Sequence, residues 1–244
     1  LLIIVASIIV FISLLTERMG IIGGICCGCV LCLASCLQQF GIMEASVGKS
    51  GFFTALYIVM IPVIGIFIGK RPGIKLWFCV ALAVVGMYLL CMKDGSFTIE
   101  RADIMLLLCA LAFSFHILVV DYFSPKVDGV KMSCIQFFVC GVLSAVGMLF
   151  TETPDISNIQ AAWLPLLYAG LLSCGVGYTL QIVGQKGINP VIASLIMSLE
   201  SVISALAGWV ILGQVLSPKE ILGCVLMFVA IIITQIPIGN KKTD

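Results

Sequence analysis

One carboxylate lies inside a long apolar run of this sequence. The stretch LIMSLESVISALAGWVIL, residues 195–212, contains Glu200 near its middle and no other charged side chain. A charged side chain at the centre of a bilayer costs about 2.5–3.5 kcal/mol, so such a residue usually faces a cavity, has a partner or takes part in transport. Glu200 could therefore bind a cation or a substrate ammonium group, carry a proton, or hydrogen-bond a neighbouring helix in its protonated form.

The only histidine of the chain is the second candidate. His116 lies in the middle of CALAFSFHILVVD, with Asp121 five residues further on. An imidazole at this depth can shuttle protons or donate to a substrate carboxylate, because small changes of environment move its pKa across physiological pH. A neutral imidazole in an interhelical hydrogen bond is the alternative.

Uncharged polar side chains inside apolar runs form a third group of candidates. An amide within a membrane needs a partner, which either a polar cavity or another helix supplies. Tyrosines can line a cavity, although near helix ends they more often anchor a helix at the membrane interface. The group comprises Gln38, Gln39, Gln136, Gln181, Tyr57 and Tyr178.

The composition requires these residues to be held by membrane helices. Of 244 residues, 61% are hydrophobic and 10% charged, the mean hydropathy is +1.24, and the net charge of +1 gives no basic arm for nucleic acid. Continuous apolar runs of nearly 20 residues predict helices rather than barrel strands. Nine are predicted, over residues 1–15, 21–40, 52–69, 75–92, 104–123, 132–150, 161–183, 190–213 and 220–238.

Twelve cysteines lie within these apolar runs, and five of them crowd into ICCGCVLCLASC rather than forming the two separate CxxC pairs that are typical of metal and redox sites. We predict that they are small packing residues, with a thiol metal cluster as the less favoured alternative. No metal, prosthetic group or other cofactor is expected.

An internal repeat sets the expected architecture. At a shift of 143 residues, Gln38 matches Gln181 and Tyr57 matches Glu200; at a shift of 144, Lys75 matches Lys219. The first copy, residues 1–93, has four predicted spans and the second, residues 102–238, has five. We therefore expect the chain to lack one N-terminal helix of a ten-helix fold. Five helices per copy place the copies in opposite orientations, as in secondary transporters with a site near the membrane midplane.

The basic residues predict the orientation. Nine lie on the C-terminal side of the membrane: Arg18, Lys70, Arg71, Lys75, Lys126, Lys131, Lys186, Lys241 and Lys242. Four lie on the other side: Lys49, Lys93, Arg101 and Lys219. By the positive-inside rule, the C-terminus is cytoplasmic.

Three stretches of the chain are similar to a known family. They are LQQFGIMEASVGKSGFFTALYIVMIPVIGIFIGKRP, HILVVDYFSPKVDGVKMSCIQF and NPVIASLIMSLESVISALAGWVILGQVLSPKEILGCVLMFVAIIIT. They resemble EamA-type members of the drug/metabolite transporter superfamily. The resemblance implies a bacterial ten-helix exporter of small metabolites, often amino acids, with two inverted five-helix repeats. It implies neither a particular substrate nor an oligomeric state.

The sequence departs from the family pattern at two places. The family usually has Glu-Pro where this chain has Glu200-Ser201, and Gly-Glu where it has Gly213-Gln214. Without the proline, a straighter helix is expected around Glu200. The lost glutamate puts any shared charge role at that end in doubt.

Two other classes of protein compete with this interpretation. The segment GKSG, residues 48–51, and His116 resemble parts of rhomboid-type intramembrane serine proteases, but these proteases leave the inverted repeat unexplained. A membrane scaffold without transport is the third hypothesis. We expect a transporter rather than an enzyme, with Glu200, Tyr57 and His116 lining a central cavity. Its partners would be the bilayer, a small-molecule substrate and a coupling proton, with facilitated diffusion as the alternative.

Overall fold

The computed structural model describes residues 18–70, 72–92, 100–151, 156–213 and 215–236. The regular structure in these ranges is entirely helical, which confirms the predicted all-α membrane fold. The α-helices are α1 (Arg18–Glu44), α2 (Val47–Ala55), α3 (Tyr57–Phe67), α4 (Ile74–Cys91), α5 (Arg101–Phe123), α6 (Gly129–Thr151), α7 (Ile156–Ala161), α8 (Trp163–Leu167), α9 (Thr179–Gln185), α10 (Pro190–Met197), α11 (Leu199–Leu212) and α12 (Pro218–Gln235). A π-helix, π1, covers Tyr168–Tyr178.

Eight helical segments in the described ranges are long and apolar enough to cross a membrane. They correspond to eight of the nine predicted spans, and the ninth, residues 1–15, lies outside the described residues. The segments are Arg18–Glu44, Gly48–Phe67, Ile74–Cys91, Arg101–Phe123, Gly129–Phe150, Trp163–Gln185, Pro190–Ile211 and Pro218–Gln235.

The chain divides into two compact units, and α1 and α5 each contribute to both. Unit 1 comprises Leu1–Cys36 and Phe115–Asn189; unit 2 comprises Leu37–Ser114 and Pro190–Asp244. The sequence repeats over residues 1–93 and 102–238 are a different division, which remains a prediction.

In unit 2, α4 packs against α12 with their backbones in contact. A Cβ atom added to Gly86 would lie 2.8 Å from the carbonyl oxygen of Gly223, and one added to Gly223 would lie 2.6 Å from that of Gly86. Small residues allow such an approach, which strengthens van der Waals packing between membrane helices. The glycines therefore fix the spacing of this helix pair, next to an apolar cluster that includes Met87 and Met227.

Two lysines cap the ends of the same helix pair. Lys75, at the start of α4, donates to the carbonyl oxygens of Thr234, at 3.2 Å, and Ile236 at the end of α12. Lys219, at the start of α12, donates to the carbonyl oxygen of Met92 at the end of α4. The last carbonyls of a helix have no partner within it, and a cation there is favoured by the helix dipole. Since Lys75 and Lys219 match in the sequence repeat, the two antiparallel helices cap each other in the same way.

Two membrane segments of unit 2 are interrupted at nearly matching positions of the repeat. Leu56 separates α2 from α3, and Ser198 separates α10 from α11. The expectation of a straighter helix near Glu200 is therefore wrong. The Ser194 and Ser198 hydroxyls donate to the carbonyl oxygens of Val191 and Leu195, three residues earlier. Such bonds from serine back to the helix often bend it, and here they lie directly at the interruption.

In unit 1, α1 packs closely on α6. A Cβ atom on Gly28 would lie 2.7 Å from the carbonyl oxygen of Gln136. The membrane segment that ends unit 1 is irregular, because π1 uses the wider π-helical hydrogen-bond pattern. It joins α9 at Thr179, whose hydroxyl donates to the Gly175 carbonyl oxygen at 2.6 Å.

Candidate functional site

His116 and Gln136 form a hydrogen-bonded pair inside unit 1. His116 on α5 and Gln136 on α6 are both fully buried, and the His116 Nε2 atom lies 2.8 Å from the Gln136 Oε1 atom. With the amide oxygen as acceptor, Nε2 carries the proton and Nδ1 is left as an acceptor. Among the described residues, neither the His116 Nδ1 atom nor the Gln136 Nε2 atom has a hydrogen-bond partner. The pair therefore links two helices and leaves two polar atoms unused.

A second buried glutamine, which the sequence did not indicate, is bonded to the helix that carries His116. Gln185, the last residue of α9, is 3% exposed and donates through Nε2 to the Ile117 carbonyl oxygen at 2.7 Å. Its Oε1 atom has no partner within the described ranges. The available signal was its spacing of four from Gln181, which places both amides on one helix face. Its position beside Lys186 at the end of the apolar run concealed it.

Tyr178 completes the surroundings of His116. It is the last residue of π1, and its ring packs edge-on against the imidazole with centroids 5.9 Å apart and planes 83° apart. The hydroxyl oxygen of the next residue, Thr179, lies 2.7 Å from the hydroxyl oxygen of Ser133 on α6, within hydrogen-bond distance. The predicted candidates His116, Gln136 and Tyr178 thus come together, whereas Gln181 is only half-buried.

Glu200 lies in unit 2 and makes no described polar contact. It is the second residue of α11, directly after the interruption at Ser198, and its side chain is exposed. No hydrogen bond or salt bridge involves it in the described part of the chain. Ile196 and Ser204, one turn away on either side, are exposed as well, whereas Val202 on the opposite face is buried. A carboxylate in the first turn is favoured by the helix dipole, which is the structural alternative to a role in transport.

The other predicted candidates also lie in unit 2. Tyr57 is the first residue of α3, directly after the interruption at Leu56, and is buried. Gln38 is half-buried and Gln39 exposed in the final third of α1. Tyr57 is therefore the first residue, and Glu200 the second, after the interruption of its membrane segment.

Unit 2 contains a buried ion pair that the sequence did not predict. The Lys49 Nζ atom lies 3.3 Å from Oδ2 of Asp103, which is fully buried and also accepts the backbone N–H of Glu100 at 2.9 Å. The sequence analysis used Lys49 only for orientation. The signal was its place in the first turn of α2, where the helix dipole disfavours a cation and a carboxylate partner is to be expected.

The described residues offer little to metal or protease chemistry. They contain no group of three or more His, Cys, Asp or Glu residues that could hold a metal ion, and the cysteines are free thiols. The Ser50 hydroxyl, which a serine protease would have to activate, is buried and has no hydrogen-bond partner in the described ranges.

Comparison with known proteins adds family information. Residues 100–236 match the family model described as "EamA-like transporter family", which confirms the resemblance seen in the sequence. An "Uncharacterized transporter" of Archaeoglobus fulgidus is 30% identical over 200 residues, which cover 82% of this chain and 64% of that protein. "Uncharacterized transporter YwfM" of Bacillus subtilis is 26% identical over 183 residues, covering 71% and 59%. The chain thus spans about three fifths of these relatives.

A solved crystal structure shares the fold. It superposes with a TM-score of 0.73 at 14% sequence identity, covering 96% of this chain and 93% of the other. At that identity the match shows the fold alone.

Proposed function

Because the chain belongs to the EamA-like transporter family and is a multi-pass membrane transporter, we propose that it exports a small polar metabolite across the bacterial cytoplasmic membrane. An amino acid or a related compound is the proposed substrate class, and the C-terminus lies in the cytoplasm. The two conformations of alternating access would expose the substrate to each side in turn. No specific observation on the described residues favours the protease hypothesis or the scaffold hypothesis.

The observation that carries this proposal is the position of Glu200. It lies about halfway along the membrane segment Pro190–Ile211, on an exposed face and without a described partner. A carboxylate facing lipid at that depth would cost about 2.5–3.5 kcal/mol. A water-filled substrate path in front of this face removes that cost, and it places the carboxylate where a proton or an ammonium group can reach it.

The interrupted segments support the same mechanism. Many secondary transporters bind substrate near the midplane where helices are discontinuous, because a break frees backbone polar groups and allows the halves to move. In this chain the break at Leu56 comes one residue before Tyr57, and the break at Ser198 comes two residues before Glu200. We place Tyr57 and Glu200 in the substrate path of unit 2, together with Gln38 and Gln39.

The path of unit 1 would contain His116, Gln136, Tyr178 and Gln181. The coupling ion we favour is a proton carried by Glu200, since protonation removes the charge that is costly in a membrane. Facilitated diffusion is the alternative, in which Glu200 binds substrate without moving a proton. These two mechanisms differ in their response to a pH gradient.

An efflux experiment tests the proposal. Cells that produce the protein are preloaded with labelled amino acids and related metabolites, and efflux is measured with and without an imposed pH gradient. We expect the gradient to accelerate efflux, and Glu200→Gln to reduce the rate to that seen without a gradient, because an amide cannot ionise.

The matched control is Glu44→Gln, which removes an exposed carboxylate at the end of α1. It should leave efflux unchanged. Equal efflux by the wild type and Glu200→Gln would assign the carboxylate to helix stability, and no efflux of any compound would contradict the proposed export.

A further inference from the structure

We propose that His116, Gln136 and Gln185 form a binding site in unit 1 for an uncharged polar group, a hydroxyl or a carboxamide, of a small molecule. The inference rests on the proposed transport function for its biological meaning and names the substrate chemistry of that function. Its structural basis is independent, since it depends only on three buried side chains and their unused atoms.

The three side chains are connected to one another. Gln136 holds His116 by a 2.8 Å hydrogen bond, and Gln185 is held at 2.7 Å by the carbonyl oxygen of Ile117, the residue after His116. The imidazole on α5 and the amide on α6 therefore meet directly, and the amide at the end of α9 is anchored to α5 one residue after the imidazole. Each unused atom belongs to the same ring or amide as a bonded atom, so the bonds also fix the positions of the unused atoms.

The unused atoms have complementary character. His116 Nδ1 and Gln185 Oε1 accept hydrogen bonds, and Gln136 Nε2 donates. A buried polar atom without a partner costs about 1–3 kcal/mol, so three such atoms in one unit call for a further partner. A hydroxyl and a carboxamide both donate and accept, and either can satisfy atoms of both kinds at once.

The buried polar side chains of unit 1 favour an uncharged group. In the described part of unit 1, the buried polar side chains are His116, Ser124, Ser133, Gln136 and Gln185. None is a carboxylate, an ammonium or a guanidinium group. An ion brought among them would lose its hydration without gaining a counter-charge, which is expensive in a protein interior. An uncharged polar group loses far less and recovers it through hydrogen bonds.

Binding to the purified chain in detergent tests the site by calorimetry. The probes are L-glutamine and ribitol, which carry a carboxamide and hydroxyls. L-glutamate and L-lysine are the charged controls, because they share the amino-acid backbone of L-glutamine. We expect L-glutamine, whose side chain is uncharged, and ribitol to bind in preference to L-glutamate and L-lysine, whose side chains are charged.

Gln136→Met and Gln185→Met should each weaken L-glutamine binding by about 3- to 10-fold, the effect of one lost hydrogen bond. Methionine has nearly the volume of glutamine, so packing is kept. The control Gln160→Met changes an exposed amide of α7 and should bind as the wild type does. If Gln136→Met fails to fold, Gln185→Met still tests the site. We expect it to fold because it removes only one hydrogen bond to a backbone carbonyl.

Each result has one meaning. Equal binding of charged and uncharged probes, no binding of any probe, or unchanged affinity in Gln185→Met would overturn the inference and assign the unused atoms to bound water. Binding without efflux from cells would contradict the proposed function and leave the site intact. If neither methionine variant changed the efflux of L-glutamine, the proposed transport function would stand and this binding site would be excluded.

Discussion

The two units differ in the polar groups that they bury. Among the described residues, unit 1 buries an imidazole, two amides and two hydroxyls, whereas unit 2 buries five hydroxyls and the carboxylates of Asp103 and Glu220. Asp103 has an ion-pair partner in Lys49, and Glu220 accepts the backbone N–H of Ser217 at the start of α12. The carboxylates of unit 2 thus hold helix ends in place. In unit 1 the imidazole and both amides each keep one atom without a described partner, whereas in unit 2 such atoms belong to two hydroxyls and to Asp103.

Buried charged groups and buried uncharged polar groups suit different purposes. A charge in a low-dielectric interior must be compensated at all times, so it suits a permanent contact. An uncharged donor or acceptor can exchange one partner for another at a smaller cost, so it suits a ligand that enters and leaves. Glu200 fits neither class, since it is charged, exposed and without a described partner, and we propose that it changes its protonation state.

The largest expected effect comes from breaking the ion pair of unit 2. Lys49→Met leaves the buried Asp103 without a counter-charge and should lower the free energy of unfolding by about 3 kcal/mol. Unfolding of the purified protein by a denaturing detergent measures the change. The double variant Lys49→Met/Asp103→Asn should recover most of the loss, because asparagine is uncharged and still accepts the Glu100 N–H. A double variant as unstable as the single one would contradict the structural role.

The helix contacts of the two units give the next prediction. Gly28→Ala in unit 1 and Gly86→Ala in unit 2 each place a methyl group within 3 Å of a backbone oxygen. Both should lose about 1–3 kcal/mol of stability. Only Gly28→Ala should also weaken L-glutamine binding, because it displaces α6 at Gln136.

Gly141→Ala is the matched control for both glycine variants. It lies on α6 with no atom within 4 Å of the added methyl group. Since alanine favours a helix over glycine by about 0.5–1 kcal/mol, its stability should be unchanged or slightly higher. Weaker L-glutamine binding in Gly86→Ala as well would show that the site depends on general stability rather than on α6.

The smallest effect concerns the second buried carboxylate of unit 2. The Ser217 hydroxyl accepts the Glu220 N–H at 3.3 Å, and the Glu220 carboxylate accepts the Ser217 N–H at 2.7 Å. Ser217→Ala removes half of this capping box and should cost about 1 kcal/mol in thermal unfolding, with efflux unchanged. Reduced efflux at full stability would instead give Glu220 a part in transport.

The sequence predicted the helices well because membrane spans need long apolar runs, which are visible without a structure. It also predicted His116 and Gln136, since polar side chains stand out in such runs. It missed Gln185, whose burial depends on packing against Ile117, a residue 68 positions away. The interruption at Ser198 was missed because back-bonding by serine depends on its rotamer and leaves no pattern comparable to a proline.

We propose that Glu200 couples transport to protons while the neutral side chains His116, Gln136 and Gln185 of unit 1 select the substrate. The most direct measurement compares Glu200→Gln and Gln136→Met in proteoliposomes, recording L-glutamine flux against concentration with and without a pH gradient. We predict that Glu200→Gln abolishes the response to the gradient, whereas Gln136→Met raises KM and keeps that response. If both variants changed the same parameter, or if neither changed any, the division between the two units would be wrong.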